Sequence, residues 1–180
     1  MAELGRLRLW YLLHLARPSH IRHLYRRVYS HPPGSLMELG IIPQRTVTLL
    51  QIIRHATKDI CPRYIAVDEF ESGQNNAHVS LKATYRMLRG FDIEPRLLPG
   101  NIESIPVSWV NQITDVDLIV IWHDINLNAG SRAQLLLPRM LSAKGQIWCQ
   151  RSFQGRHRWL VITKEELERL GKTSLRHRAA

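Results

Sequence analysis

Apolar residues along this chain form two kinds of segment that alternate. Short continuous apolar runs are typical of strands buried on both faces of a sheet, and longer runs with apolar positions three or four apart are typical of amphipathic helices. The predicted strands are 36–39, 63–67, 95–98, 117–122 and 146–150. The predicted helices are 45–56, 79–88, 102–113 and 131–141. This alternation indicates an α/β fold with a mostly parallel sheet between two helical layers.

The chain after residue 150 is too short for another strand and helix of this kind. A turn at Phe153-Gln154-Gly155 would let 158–163 pair antiparallel with the fifth strand, as an edge strand. Thr163 and Glu166 have the spacing of a capping box, which predicts a final short helix that ends at Gly171. Residues 172–180 are predicted to be a basic tail.

Two further helices are predicted before the first strand, at 4–16 and 21–28, with Pro18 ending the first and Ser19 capping the second. The breaker His31-Pro32-Pro33-Gly34 follows them. We therefore divide the chain into a basic helical extension (1–30), an α/β core (31–163) and a short helix with a basic tail (164–180).

Composition and charge narrow the class of protein. The chain has 180 residues and a mean hydropathy of -0.21, which fits one globular domain without a membrane span. The apolar stretch after Arg6 and Arg8 is interrupted by His14 and lacks a cleavage site. We expect a cytoplasmic protein, with an organelle-targeting segment as the alternative. Cys61 and Cys149 are far apart, without metal-ligand spacing, and are expected to be reduced and buried.

The net charge of +10 lies at the two ends of the chain. Residues 1–30 and 151–180 each carry an excess of five positive charges, whereas 31–150 is neutral. Basic ends can bind nucleic acid or another acidic partner, or they can simply be a solvated surface. A non-catalytic module that binds an acidic partner is therefore one functional alternative. Proteins that bind single-stranded nucleic acid typically have aromatic residues interleaved with basic ones, and this sequence shows no such pattern.

Candidate chemistry lies where the predicted strands end, because open parallel sheets bind ligands beyond their carboxyl ends. These positions are Gly40, Asp68, Gly100 with Asn101, and 122–124. Asp68 comes 28 residues after Gly40, a spacing at which an acid can accept hydroxyl groups of a ribose. The same acid can instead cap a turn. No phosphate-binding loop, serine elbow or zinc signature occurs, and no metal site is predicted.

Several segments, taken in order, resemble class I S-adenosylmethionine-dependent methyltransferases. The segments are Met37-Glu38-Leu39-Gly40, Ala66-Val67-Asp68, Pro99-Gly100-Asn101, 117–121 and Leu137-Pro138-Arg139-Met140-Leu141. The resemblance covers about residues 35–150 and implies a Rossmann-like three-layer sandwich with strand order 3-2-1-4-5. It also implies S-adenosylmethionine as cofactor and a methyl acceptor that the sequence does not identify.

The resemblance also implies roles for single residues. Glu38 and Gly40 would hold the methionine end of the cofactor, Asp68 its ribose, and Asn101 its adenine. Gly100 belongs to the same cofactor site. Trp122 is assigned to the same cofactor site, and the acceptor would face Trp122, His123 or Asp124. His123 and Asp124 are the candidate catalytic residues, since an imidazole can take a proton from the acceptor. A surface histidine is the alternative.

The first motif departs from the family pattern of acid-x-Gly-x-Gly-x-Gly. Ile42 and Gln44 stand where the second and third glycines are expected, and Pro43 removes one N–H group from the start of the helix. We expect the side chain of Ile42 to project toward the cofactor position. The resemblance thus implies a methyltransferase, or a weak or inactive descendant of one.

Overall fold

The computed structural model describes residues 4–58, 60–72, 79–123, 125–127, 131–153 and 155–169. The strands are β1 (Ser35–Leu39), β2 (Arg63–Asp68), β3 (Arg96–Pro99), β4 (Val116–Ile121), β5 (Leu141–Phe153) and β6 (Arg156–Thr163). They form one sheet in the order β3-β2-β1-β4-β5-β6, with β6 antiparallel to β5 and the other pairs parallel. The predicted Rossmann-like sheet, its strand order and its antiparallel edge strand are confirmed.

Helices cover both faces of this sheet. They are α1 (Arg6–His14), α2 (Ser19–Ser30), α3 (Pro43–Ala56), α4 (Leu81–Arg89), α5 (Val107–Val110) and α6 (Arg132–Met140). Alternate residues of each strand enter one of two cores. Leu36 packs with α1 to α4 on one face, whereas Met37 packs with α5 and α6 on the other. This alternation also places Glu38 on the same face as Leu36.

The two N-terminal helices belong to the core. Leu13 and Leu24 are buried in the cluster that contains Leu36. Arginines of α2 fix the end of α1: the Arg26 side chain donates to the Leu13 carbonyl oxygen over 2.6 Å, and Arg22 donates to the His14 carbonyl oxygen over 2.5 Å. Cations at a helix carboxyl end satisfy its free carbonyl groups. Part of the basic charge of residues 1–30 therefore stabilises the helix pair.

Two predicted helix details were wrong. Ser19 does not cap α2; Pro18 occupies the cap position without a side-chain hydrogen bond. The helix predicted at 102–113 is only the single turn Val107–Val110. Pro106 lacks the N–H group that a continuing helix requires, and the Asn101 side chain holds the preceding residues in a turn. Pro138 lies within α6, which passes directly into β5.

The end of the described chain matches the sequence prediction. The Thr163 N–H group donates to Glu166 Oε2 over 2.8 Å, and the Glu166 N–H group donates to Thr163 Oγ1 over 3.3 Å. This is the predicted capping box, and it begins a helical segment at 164–169. The predicted helix end at Gly171 and the basic tail lie outside the described residues. Neither cysteine is in a disulfide bond; Cys149 is buried and Cys61 is partly exposed. None of the helices in the described ranges has the length and apolar character needed to cross a membrane.

Candidate functional site

A cleft of about 680 Å³ lies at the carboxyl ends of β1 to β4. This volume is in the range of small-molecule sites, and the position is the one at which open parallel sheets bind ligands. The structure brings five of the sequence-predicted residues to this cleft, Gly40, Asp68, Gly100, Asn101 and His123. They come from the ends of four different strands. The fold therefore gathers residues that are up to 83 positions apart in the sequence.

Gly40 forms the floor of the cleft directly after β1. Its φ of +74° lies in the left-handed region, and its N–H group donates to the Val67 carbonyl oxygen over 2.9 Å. A Cβ atom at this position would lie 2.7 Å from Nδ1 of His123. The backbone conformation and the contact with His123 therefore both require glycine. The imidazole of His123 lies directly over Gly40 and is exposed on its other side.

Asp68 ends β2 and joins two loops through its carboxylate. Its Oδ2 accepts the Ile41 N–H group over 2.6 Å, and its Oδ1 accepts the Phe70 N–H group over 2.8 Å. The sequence left ribose binding and turn capping open, and the structure shows that this carboxylate holds both turns. Each carboxylate oxygen has capacity for a further hydrogen bond. Asp68 can therefore hold the loops and still accept a ligand hydroxyl.

Gly100 and Asn101 form the turn after β3. Gly100 has a φ of +124°, and a Cβ there would lie 2.9 Å from Ser104 Oγ. Asn101 Oδ1 accepts the N–H groups of Glu103 and Ser104, each over 3.0 Å, while its Nδ2 donates to Glu69 Oε1 over 2.8 Å. The Asn101 side chain is thus fixed by its neighbours. It lines the cleft in one defined orientation and leaves one amide hydrogen for a ligand.

Glu38 and Trp122, both assigned to the cofactor site from the sequence, do not line this cleft. Glu38 is fully buried beneath α3. Its carboxylate accepts hydrogen bonds from Thr46 Oγ1 and Trp122 Nε1, each over 2.7 Å, and from the Tyr64 hydroxyl. Burial raises the pKa of Glu38, and these three donors oppose that rise. Burial also raises the pKa of Tyr64, and the adjacent Glu38 adds to that effect.

The group Glu38, Thr46, Tyr64 and Trp122 is called the Glu38 network below. It joins β1, α3, β2 and the end of β4 through one carboxylate. The Arg45 guanidinium lies 5.1 Å from the centre of the Trp122 ring and donates to Gln150 Oε1 over 3.0 Å. The network therefore ties the middle of the sheet to the start of α3. In the sequence, the only sign that Glu38 faces away from the cleft is its place in the alternation of side chains along β1.

The expected obstruction by Ile42 is also not what the structure shows. Ile42 packs against the core on the α3 side, and neither Ile42 nor Gln44 lines the cleft. Pro43 is the first residue of α3, as its missing N–H group allows. The side chain that lies over Gly40 is His123, a contact that the sequence did not predict. Asp124, the other candidate base, lies outside the described residues.

Comparison with known proteins places the fold. No model of a known protein family matches the sequence, and no curated protein matches it. Among solved structures, the chain is similar to a protein of Plasmodium falciparum assigned as a protein-L-isoaspartate O-methyltransferase, solved in complex with S-adenosyl-L-homocysteine. The TM-score is 0.52 at 17% identity, over 84% of this chain and 67% of that one.

A second similar structure is the Podospora anserina methyltransferase PaMTH1, solved with S-adenosyl-L-homocysteine bound. Its TM-score is 0.50 at 14% identity, over 78% of this chain. The match spans 58% of the length of PaMTH1, so this chain corresponds to little more than half of it. At such low identities the likeness concerns the backbone. The chain has the Rossmann-like α/β fold of methyltransferases.

Proposed function

We propose that this protein binds S-adenosylmethionine in the cleft above Gly40 and is a methyltransferase-like protein. The observation that carries the proposal is the convergence of Gly40, Asp68, Gly100 and Asn101 on one cleft at the carboxyl ends of the parallel strands. Two of these residues are glycines with a positive φ, which places their backbone in tight turns at the edge of the cleft. The two similar structures were solved with S-adenosyl-L-homocysteine, which agrees with this proposal.

The residues present fit such a cofactor. Asp68 would accept ribose hydroxyls with the hydrogen-bonding capacity that the two loop N–H groups leave free. The remaining amide hydrogen of Asn101 would contact the adenine ring. The methionine end would lie near Gly40, beside the imidazole of His123. When bound, S-adenosylmethionine supplies an electrophilic methyl group, and the protein's part is to orient the acceptor toward it.

His123 is the residue of this chain that we propose to act on the acceptor. It follows β4, lines the cleft and is exposed to solvent. An imidazole at that position can accept the proton that an acceptor hydroxyl or amine loses as it is methylated. Its contact with Gly40 holds the ring at the floor of the cleft. The acceptor itself stays undefined, because no feature of the described cleft selects one.

Isothermal titration calorimetry with S-adenosylmethionine and S-adenosylhomocysteine tests the proposal. We expect both to bind the full chain, and Asp68→Asn to weaken binding by about tenfold, because a charge-assisted hydrogen bond to the ribose is lost. Glu94→Gln is the matched control, since Glu94 is an exposed acid outside the cleft. Absence of both heat and thermal shift at millimolar ligand would contradict the proposal.

The alternative function, binding of nucleic acid or another acidic partner through the basic ends, stays a prediction. In the described part of the amino-terminal end, Arg22 and Arg26 are engaged with α1, whereas Arg6 and Arg8 are exposed. If this alternative holds, Arg6→Gln with Arg8→Gln weakens RNA or DNA binding and reduces its dependence on salt. Binding that does not change with salt would exclude it.

A further inference from the structure

A second cleft, of about 750 Å³, lies between the start of α2 and the outer strands β5 and β6. It shares no lining residue with the cleft above Gly40. Its lining includes His20, His23, His157, Arg158, Trp148 and Trp159. They come from α2, which precedes the alternating strands and helices of the core, and from β5 and β6. None of these elements is used in the function proposed above.

The ionisable side chains in the lining of this second cleft are all basic. Among the described residues the lining includes three histidines and Arg158, and no aspartate or glutamate. Burial lowers the pKa of His20, and His157, Arg45 and His23 lower it further in that order. The groups facing His20 from α2, α3 and β6 are thus all basic. A cavity with this surrounding disfavours cations and attracts an anion.

One ring nitrogen of a residue that lines the cleft has no hydrogen-bond partner among the described residues. His20 is 8% exposed, and its Nε2 is buried without a hydrogen bond among the described residues. The rings of His20 and His157 are 5.6 Å apart, centre to centre. A buried ring nitrogen normally has a partner, so an unpaired one in a residue that lines a cavity points to a partner from outside the described protein, a water molecule or a ligand. In the described residues no three potential ligand side chains are grouped so that they could hold a metal ion.

The start of α2 adds to this field. Pro18 provides no side-chain cap, and the first turn of this 12-residue helix contains no acidic residue. The first N–H groups of a helix and its dipole attract anions, especially when no side chain already satisfies them. The amino end of α2 and the unpaired nitrogen of His20 therefore favour the same kind of ligand. They are independent observations, one of the backbone and one of a side chain.

The apolar part of the cleft comes from two indole rings. Trp148 and Trp159 are 6.0 Å apart between ring centres, and Trp159 Nε1 donates to the His20 carbonyl oxygen over 2.7 Å. That bond fixes the indole ring of Trp159 beside His20. Aromatic walls with a basic end suit a ligand that has a planar apolar part and an anionic group.

We propose that this second cleft binds a small phosphate monoester of an aromatic compound. The phosphate is received by His20, His23, His157, Arg158 and the amino end of α2, and the aromatic part packs against Trp148 and Trp159. The site is independent of cofactor binding at Gly40. A protein that does not bind S-adenosylmethionine can still bind the phosphate monoester, and the reverse also holds.

Calorimetry of the full chain with phenyl phosphate at pH 7 and 150 mM salt tests this proposal. Inorganic phosphate and phenol, each carrying half of the proposed ligand, are titrated in parallel. We expect phenyl phosphate to bind more tightly than either. His157→Ala should weaken its binding by about tenfold, because one charged hydrogen bond is lost. Quenching of tryptophan fluorescence provides a second measurement, since two indoles line the site.

The control variant is His31→Ala, at an exposed histidine outside the cleft. His157 and Arg158 are exposed on an edge strand, so their alanine variants should fold, and thermal unfolding verifies this. Absence of phenyl phosphate binding at 5 mM, or equal affinity in wild type, His157→Ala and Arg158→Ala, would overturn the proposal. An unchanged affinity of His157→Ala for S-adenosylhomocysteine would separate this site from the first cleft.

Discussion

Glu38 and Gly40 are two positions apart in the sequence but lie in opposite environments. Glu38 is fully buried, with hydrogen bonds from three side chains, whereas Gly40 is at the floor of an open cleft. The Glu38 side chain points from β1 toward α3, and the chain then turns at Gly40, which lines the cleft beside His123. One short motif thus supplies both a structural anchor and a candidate ligand surface. An acid in a segment that resembles a cofactor-binding motif can therefore be a buried structural residue.

The largest expected effect is a loss of stability on removal of the Glu38 carboxylate from the Glu38 network. Glu38→Ala leaves the Tyr64 hydroxyl, the Thr46 hydroxyl and the Trp122 N–H group buried without their acceptor. Several unsatisfied buried donors should lower the free energy of unfolding by about 4 kcal/mol, as measured by urea denaturation. Glu94→Ala, at an exposed position, should change it by less than about 0.5 kcal/mol.

This prediction also distinguishes the two roles considered for Glu38. If Glu38 contacts the cofactor, Glu38→Gln should reduce cofactor affinity with little change in stability. If its role is structural, the stability loss should dominate, and any folded fraction should bind the cofactor normally. An unfolding midpoint equal to that of wild type in Glu38→Ala would show that the Glu38 network does not anchor the sheet.

The second largest expected effect is a loss of stability on substitution of Gly40, at the floor of the cleft. Gly40→Ala combines a strained backbone with a Cβ 2.7 Å from His123 Nδ1, so we expect a loss of about 2 kcal/mol in unfolding free energy. Gly155→Ala is a matched control, because Gly155 has a φ of +72° and no atom within 4 Å of its Cβ position. The difference between the two variants measures the contact with His123.

Removing the imidazole should then recover part of the loss. In a double-mutant cycle, Gly40→Ala and His123→Ala should show a coupling of about 1 kcal/mol, since the two groups touch. Additive effects would mean that the His123 ring moves away from Gly40 without cost. In that case His123 would not limit the approach of a ligand to the glycine.

The sequence predicted the strands and their order well, but it did not predict on which face of the sheet single side chains lie. Apolar runs located the five parallel strands, because buried parallel strands leave a strong local signal, and the turn at 153–155 predicted the antiparallel edge strand β6. The assignment of Glu38 and Trp122 to the cofactor site followed motif position, but the direction of each side chain depends on strand alternation and on partners in α3 and β2. The contact of His123 with Gly40 joins residues 83 positions apart, and no local pattern encodes it. The Asn101 turn likewise replaced half of a predicted helix.

The smallest expected effect is on the pH dependence of the unfolding free energy, to which Glu38 in the Glu38 network and His20 in the second cleft contribute in opposite directions. The pKa of His20 is lowered in the folded protein, so between that value and 6.5 the unfolded chain binds more protons. The contribution of His20 to stability is therefore complete above pH 6.5 and is lost as the pH falls through its folded-state pKa. Glu38 has a raised pKa, so its contribution is complete below its unfolded-state pKa and is lost as the pH rises through its raised value.

Urea denaturation of wild type and His20→Gln at pH 7.5 and 5.5 separates these opposing effects. Glu38 is present in both proteins, so its contribution cancels in the difference between them. We expect acidification to cost wild type more stability than His20→Gln, while His31→Gln, at an exposed site, should behave like wild type. Saturating phenyl phosphate should reduce the loss in wild type, because a bound anion favours the protonated imidazole. An equal loss in wild type and His20→Gln would mean that His20 is no more costly to protonate when folded. The basic surroundings of His20 would then not act as a preformed field for an anion.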